Sequence, residues 1–232
     1  MVNSTPIVIR SLTGVFPHNF RDLTLVAGTI GDYAALVVGK DSSLNSMGDL
    51  MSAYRADPSG TAVGGGSVPG GMDHLVAAMV MQAAGEDPTA VKYIPYDAGG
   101  DAMAALLSGE IDALSTGFSE AVALAQAGEV KILGVTSDAR VPAYDSAQTM
   151  KEQGIDTSFV NWRCFFAAPG LSSDTLAAYQ DALTKMYETP EWEAVRARNG
   201  WVNIHNNGDD FRVFLENQEK VIGDLMRQLG FL

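Results

Sequence analysis

The amino-acid sequence predicts an α/β protein, and two observations lead to this class. Between residues 61 and 136, short apolar segments typical of β-strands alternate with helical segments that carry apolar residues on one face. Strands and helices that alternate in this way form βαβ units around a parallel sheet. Loops of glycine and small residues also stand between three predicted strands and the helices that follow them, which is where α/β sheets bind their ligands.

The elements follow from local patterns along the chain. Residues 23–40, LTLVAGTIGDYAALVVGK, predict two strands around a turn at Gly31-Asp32. Ser46 is a typical N-cap for a helix over 46–56, which Asp57-Pro58 ends. The alternating region then predicts strands at 61–63, 91–95, 111–114 and 130–136, and helices at 72–84, 101–108 and 119–127.

The pattern changes after Thr136. Residues 160–168, VNWRCFFAA, predict an apolar strand. Helices are expected at 172–187, 190–199 and 209–229. Because the polar segment before residue 160 is a suitable crossover, we expect two domains, one formed by residues 1–40 with 160–232 and the other by residues 41–159.

Composition limits the classes of function. The formal net charge of −13 argues against nucleic acid and anionic membranes as partners. Cys164 is the only cysteine, so no internal disulfide forms, and a small buried hydrophobic role is favoured for it. His18, His74 and His205 lie far apart and show no metal-ligand spacing, so no metal and no other cofactor is predicted.

The stretch 62–75 reads AVGGGSVPGGMDHL and places many glycines at the start of a predicted helix. Such a helix start presents unpaired N–H groups and the positive end of the helix dipole, and glycine lets a ligand approach them, so the arrangement suits an anion. The stretch matches neither the P-loop, nor the dinucleotide fingerprint G-x-G-x-x-G, nor the nucleophile elbow G-x-S-x-G. A tight turn remains the alternative for this loop on its own.

Two more loops follow neighbouring strands. They are Tyr96–Gly100 and Thr116–Ser119, and each precedes a predicted helix. Three such loops at the carboxyl edge of one sheet indicate a binding cleft for a small anion. Because they supply no nucleophile, metal cluster or paired base, no catalytic residue is predicted.

Charged residues near these segments have two interpretations. Asp73 and Asp101 fall in the first turns of predicted helices, where capping and dipole complementarity are favoured over ligand contact. Arg163 is the only charge in its apolar strand, and such a charge requires a partner. A ligand carboxylate and a structural acid are both open as that partner.

Several stretches, taken in order, resemble one known family. They are GGGSVPGGMDHL, VKYIPYDAGGDAMAALLSGEIDA, STGFSEAVALAQAGEVKILGVTSDARVP, KEQGID and VNWRCFFAAPGLS. Together they resemble the tripartite tricarboxylate transporter receptors, the Bug-type periplasmic solute-binding proteins, from about Leu23 to Leu232. VNWR followed by an aromatic pair and Pro-Gly is similar to the citrate-type branch of that family.

The resemblance implies a periplasmic-binding-protein-like (Venus flytrap) fold of two domains and no enzyme activity. It implies a small di- or tricarboxylate ligand, no cofactor, and delivery to a membrane permease; it gives no oligomeric state. With the loops read above, the expected ligand-binding residues are Ser67, Gly70, Gly71, Tyr96, Ala98, Gly99, Gly100, Thr116, Gly117, Phe118 and Ser119, with Ser4, Thr5 and Arg163 from the other domain.

The start of the chain departs from the family pattern. Family members begin with a signal peptide, a first strand and a glycine-rich loop, whereas this chain begins with MVNSTPIVIRSL. We therefore expect the first domain to be incomplete at its N-terminus, and a periplasmic location follows from the resemblance alone. Two alternatives remain: a truncated or degenerate receptor that does not bind, and an α/β enzyme for an anionic substrate.

Overall fold

The computed structural model describes residues Met1–Leu232. It divides into unit 1, Met1–Gly31 with Asn161–Leu232, and unit 2, Asp32–Val160. The second boundary lies one residue from the expected one, whereas the first lies at Gly31–Asp32 and not at residue 40.

The helices and strands are, in chain order, β1 Val2–Ser4, α1 Pro6–Leu12, β2 Thr24–Gly39, α2 Met47–Ala56, β3 Ala62–Gly65, α3 Met72–Ala83, β4 Lys92–Pro95, α4 Gly99–Ser108, β5 Ala113–Gly117, α5 Phe118–Gln126, β6 Val130–Val135, β7 Val160–Ala167, α6 Ser173–Tyr187, α7 Pro190–Asn199, β8 Val202–Asn207 and α8 Gly208–Gln228. The α/β class is confirmed, and so are the helices and strands of the alternating region, apart from their ends. No helix combines the length and the apolar character that a membrane span requires.

The expectation of two strands around Gly31-Asp32 was wrong. β2 is one strand that runs through both residues and through both units. Gly31 pairs with Val202 of β8 in unit 1, and Asp32 is buried and hydrogen-bonded in unit 2. Gly-Asp is typical of a turn, but here both residues are extended because each has a tertiary partner that stabilises this conformation.

The sheet of unit 2 places three strand ends on one edge. β3 pairs in parallel with β4 and with β5, so their carboxyl ends point the same way. β2 pairs antiparallel with β5 and with β6. β6 therefore runs in the same direction as β3, β4 and β5, as the βαβ pattern predicts, but β2 lies between it and β5. The carboxyl end of β2 lies at the opposite edge.

Both faces of this sheet are covered, which explains the strong apolar character of its strands. On one face, Leu36 and Val63 pack with Met47 and Leu50 of α2 and with residues of α3. On the other face, Leu114 packs with residues of α4 and α5. Burying side chains of this size contributes about 1.5–3 kcal/mol each, so the two helical layers hold the sheet edge rigidly in place.

Unit 1 has its own core. β1 pairs antiparallel with β7, with Ser4 opposite Arg163, and β8 pairs antiparallel with β2. Trp162 and Phe166 of β7 and Phe211 and Leu215 of α8 are fully buried. The sequence analysis missed β1, α1 and β8; β8 reads VNIHNN, and asparagine-rich segments have low intrinsic strand propensity.

Candidate functional site

The three loops named in the sequence lie together in unit 2. They are called the first loop (64–71), the second loop (96–100) and the third loop (116–119). A Cβ added at Gly66 would collide with the backbone nitrogen of Gly99, and one added at Gly99 would lie 2.5 Å from Oε2 of Glu120. Part of the glycine content therefore serves close packing between the loops, and not only access for a ligand.

The first loop contains a tight turn over residues 68–71. The N–H of Gly71 donates to the carbonyl of Val68 at 2.8 Å, and Gly70 has a φ of 77°. With Pro69 before it, Gly70 occupies the third position of a type II turn, which requires a positive φ. Its N–H donates to Nδ1 of His74 at 3.0 Å, so at present this donor is already used.

Ser67 acts as a cap for α3. Its Oγ accepts the N–H of Asp73 at 3.1 Å and lies 3.1 Å from the phenol oxygen of Tyr93. The Tyr93 hydroxyl also donates to the carbonyl of Ser67 at 2.8 Å. Burial raises the pKa of Tyr93 to about 12, so it remains a neutral donor. The first loop is thus held from within unit 2 by Tyr93 and His74, two residues that the sequence analysis did not assign to the site.

The second loop has the open donors. α4 begins at Gly99 after the N-cap Ala98, and no side chain caps it. The first backbone bond of this turn is from Ala102 to the carbonyl of Ala98, so the N–H groups of Gly99, Gly100 and Asp101 have no acceptor in the chain. Gly100 is exposed and Gly99 is half-buried. Tyr96 does not contribute its phenol here, because that hydroxyl donates to Glu110 beyond the other end of α4.

The third loop differs from expectation because carboxylates use its donors. The N–H and Oγ of Ser119 donate to Asp32 at 3.2 and 2.6 Å. The hydroxyl of Thr116 donates to Oε2 of Glu120 at 2.6 Å. Gly117 is buried, and the Phe118 side chain is in the apolar core. This loop presents carboxylate oxygens where the sequence led us to expect free donors.

The sequence analysis missed Asp32 and Glu120. A carboxylate inside an apolar strand such as β2 requires donors, which was the available signal for Asp32, but nothing in the sequence identifies Ser119 as its partner. Negative groups at a helix N-terminus are stabilised by the dipole. Asp32 therefore occupies the place at the start of α5 that a ligand anion was expected to take.

A cavity of about 690 Å³ lies at the opposite edge of unit 2. Its lining includes Asp41, Asp112 and Glu129 and the C-terminal turn of α4. Acidic side chains and a helix C-terminus both disfavour an anion. This cavity is therefore a poor site for a carboxylate despite its size.

The predicted residues of unit 1 form a separate group. The hydroxyl of Thr5 donates to Oδ1 of buried Asn161 at 2.9 Å. Arg163 makes only long contacts, 3.4 and 3.5 Å, with the carbonyls of Trp162 and Asn161, and it has no ion pair with an acid. The structural acid that the sequence analysis left open as its partner is absent.

The remaining reactive groups do not form a reaction centre. Cys164 is buried, and burial raises the pKa of its thiol to about 12, so it is a poor nucleophile. No group of three His, Cys, Asp or Glu side chains is placed to hold a metal ion.

Two α/β units, with uncapped helix N–H groups at one sheet edge, are the arrangement expected of a solute-binding protein. The chain matches the tripartite tricarboxylate transporter family receptor over residues 4–231, and it belongs to that family. Receptors of this family are periplasmic solute-binding proteins that work with a membrane transporter, and they are not enzymes.

Three proteins illustrate the similarity. A UPF0065 protein of Bordetella pertussis is 25% identical, over 97% of this chain and 71% of its own length. MatC of Rhodopseudomonas palustris with bound malate is 16% identical, covers 97% of this chain and 77% of its own, and superposes with a TM-score of 0.82. A second R. palustris protein, solved with adipate, is 20% identical, covers 90% and 69%, and also has a TM-score of 0.82. The receptor fold expected from the sequence is confirmed.

Proposed function

We propose that this chain is a periplasmic receptor for a small di- or tricarboxylate, which it delivers to the membrane permease of a tripartite tricarboxylate transporter. The observation that carries the proposal is the uncapped start of α4, where the N–H groups of Gly99, Gly100 and Asp101 lack acceptors. Malate and adipate in the two structural relatives support a carboxylate ligand.

The ligand carboxylate would bind at the first turn of α4. Two or three N–H groups and the positive end of the helix dipole meet there, an arrangement that stabilises a negative charge by about 0.3–2 kcal/mol before the hydrogen bonds are counted. Gly100 has nothing within 4 Å of where a Cβ would stand. An oxygen of the ligand can therefore reach the backbone without a clash.

Glu120, beside the third loop, gives the proposed site a preference among carboxylate ligands. Glu120 is exposed, lies against Gly99, and has Oε1 without a hydrogen bond, since Thr116 donates to Oε2. A carboxylate beside the bound anion repels a second carboxylate but accepts a hydroxyl group. We therefore expect ligands with a hydroxyl next to a carboxylate, such as malate or citrate, to bind better than their deoxy counterparts.

A thermal-shift titration with matched acids tests the proposal. A ligand that binds only the folded chain raises its melting temperature with concentration. We expect saturable shifts with malate and citrate, and smaller ones with succinate and tricarballylate, which lack the hydroxyl group. Equal shifts within each pair would remove the role of Glu120. No shift with any acid would contradict carboxylate binding and favour a receptor that has lost its site.

A further inference from the structure

The central peptide of the turn over 68–71 has two orientations open to it. Type I and type II turns share the bond from the fourth residue to the first and differ by a rotation of the central peptide through about 180°. Pro69 at the second position suits both types, and Gly70 at the third accepts a positive or a negative φ. The peptide between Pro69 and Gly70 can therefore rotate while the Gly71-to-Val68 bond stays in place.

His74 selects between these orientations. Nδ1 of a neutral imidazole accepts a hydrogen bond when the proton is on Nε2, whereas in a protonated ring both nitrogens are donors. In the structure Nδ1 accepts the Gly70 N–H at 3.0 Å, which requires the neutral ring. After protonation this bond cannot persist, but a rotated peptide would turn the Pro69 carbonyl toward the same nitrogen as an acceptor.

We propose that His74 is a proton-operated latch on the first loop, holding the type II turn when neutral and favouring the rotated peptide when protonated. Gly70 and Gly71 belong to the first loop and lead directly into α3, and Gly66 of the same loop lies against Gly99 at the start of α4. A single proton thereby decides whether the Gly70 N–H is used internally or released.

The surroundings of His74 favour the neutral ring. The imidazole stacks on Tyr93 of β4, with centroids 4.4 Å apart and planes 9° from parallel, and Tyr93 stays uncharged because its pKa is raised to about 12. Asp73, which precedes His74 on α3, is buried, and its carboxylate acts in the opposite direction, toward the protonated ring. Burial lowers the pKa of His74 below its ordinary value of 6.5.

The lowered pKa of His74 determines how folding stability depends on pH. A histidine whose pKa is depressed by folding contributes stability that is fully present above its unfolded pKa, about 6.5. This contribution is lost as the pH falls from there through the lower folded value. The latch therefore opens as the pH falls below 6.5 and through the lowered pKa of His74.

The consequence for ligand binding rests on the proposed function. Rotation releases the Gly70 N–H from the imidazole, and protonation adds a positive charge to α3, whose preceding loop packs against the start of α4. Both changes favour a carboxylate bound at these loops. We expect malate to bind about fivefold more tightly to the protonated form, at the lower end of typical coupling. By the same linkage, malate promotes protonation of His74.

Nuclear magnetic resonance of the full chain with ¹⁵N-glycine tests the latch without a ligand. In the wild type, the Gly70 amide signal should move with the same midpoint as the His74 ring signal, below pH 6.5. In His74→Asn, whose amide oxygen takes the place of Nδ1 and does not titrate, the Gly70 signal should stay constant. His205→Gln is the matched control, because His205 also stacks on a tyrosine, Tyr187, but in unit 1.

Each result has a defined meaning. A Gly70 signal that ignores the titration of His74, a shift that persists in His74→Asn, or a His74 ring that never titrates before unfolding would overturn the latch. A Gly70 response that disappears in His205→Gln would show that His205, and not His74, causes the shift.

Malate calorimetry at pH 7.5 and 5.5 is the second experiment. The wild type should bind malate more tightly at pH 5.5, and His74→Asn should not. If malate fails to bind at any pH, the proposed function fails, and the amide titration still decides on the latch.

Discussion

At the scale of single residues, the candidate site is decided by which N–H groups already have acceptors. The three loops were predictable, because strand-to-helix loops of a parallel sheet meet at one edge. Their free donors were not predictable, because side-chain acceptors use them: Asp32, from a distant position, accepts from Ser119, and Glu120, four residues after Thr116, accepts from Thr116. Of the three helix starts, only that of α4 has no side-chain acceptor on its first turn, and no local pattern distinguishes it from the starts of α3 and α5.

Gly100 allows a direct test of that difference. We expect Gly100→Val to keep the fold, because no atom lies within 4 Å of the new Cβ and valine is a better helix former than glycine. The branched side chain would cover the N–H groups of the first turn of α4. We expect malate affinity, measured by calorimetry, to fall at least about tenfold, which is about 1.4 kcal/mol.

A matched control exists at the same position of another helix. Gly48 is the second residue of α2, where a Cβ would meet Ser46 Oγ at an ordinary 3.5 Å, and α2 follows the opposite edge of the sheet. Gly48→Val should bind malate as the wild type does. Unchanged affinity in Gly100→Val would exclude the start of α4 from the site.

At the scale of elements, prediction succeeded where one local pattern was sufficient. The helices follow from apolar periodicity and from caps such as Ser46 at the start of α2. Prediction failed where strand pairing determines the secondary structure. β8 is a strand because it pairs with β2, and β2 continues through Gly31-Asp32 because it pairs with β8. β6 was placed correctly along the chain, but its neighbour in the sheet is the antiparallel strand β2 and not β5, and the residues of β6 alone do not show this.

The cap of α2 provides a test of element stability. Ser46 Oγ accepts the N–H of Asp49 at 3.1 Å, and α2 buries Met47, Leu50 and Met51 in unit 2. We expect Ser46→Ala to lower the free energy of unfolding by about 1 kcal/mol. In the same helix, the Ser52 hydroxyl only donates back to the carbonyl of Gly48, so Ser52→Ala should be neutral or slightly stabilising. Equal urea midpoints for the two variants would show that the cap contributes nothing.

At the scale of the whole molecule, the probes of unfolding are divided unequally between the units. All three tryptophans, Trp162, Trp192 and Trp201, and the single cysteine, Cys164, belong to unit 1. Tryptophan fluorescence and thiol labelling therefore report on unit 1 alone, whereas far-ultraviolet circular dichroism reports on both units. Because Cys164 is buried with its pKa raised to about 12, it should react with a thiol reagent only when unit 1 opens.

Because the probes are divided in this way, the urea midpoints of the different probes can show which unit binds the ligand. A ligand held by the loops of unit 2 stabilises that unit against opening, because binding free energy is added only to states that keep the site. Saturating malate should therefore raise the circular-dichroism midpoint in urea more than the midpoints of tryptophan fluorescence and Cys164 labelling. Gly100→Val should lose the malate-dependent part of the shift and keep the ligand-free curves. Equal malate shifts in all three probes, when the ligand-free midpoints of the probes differ, would contradict the assignment of the site to unit 2 alone.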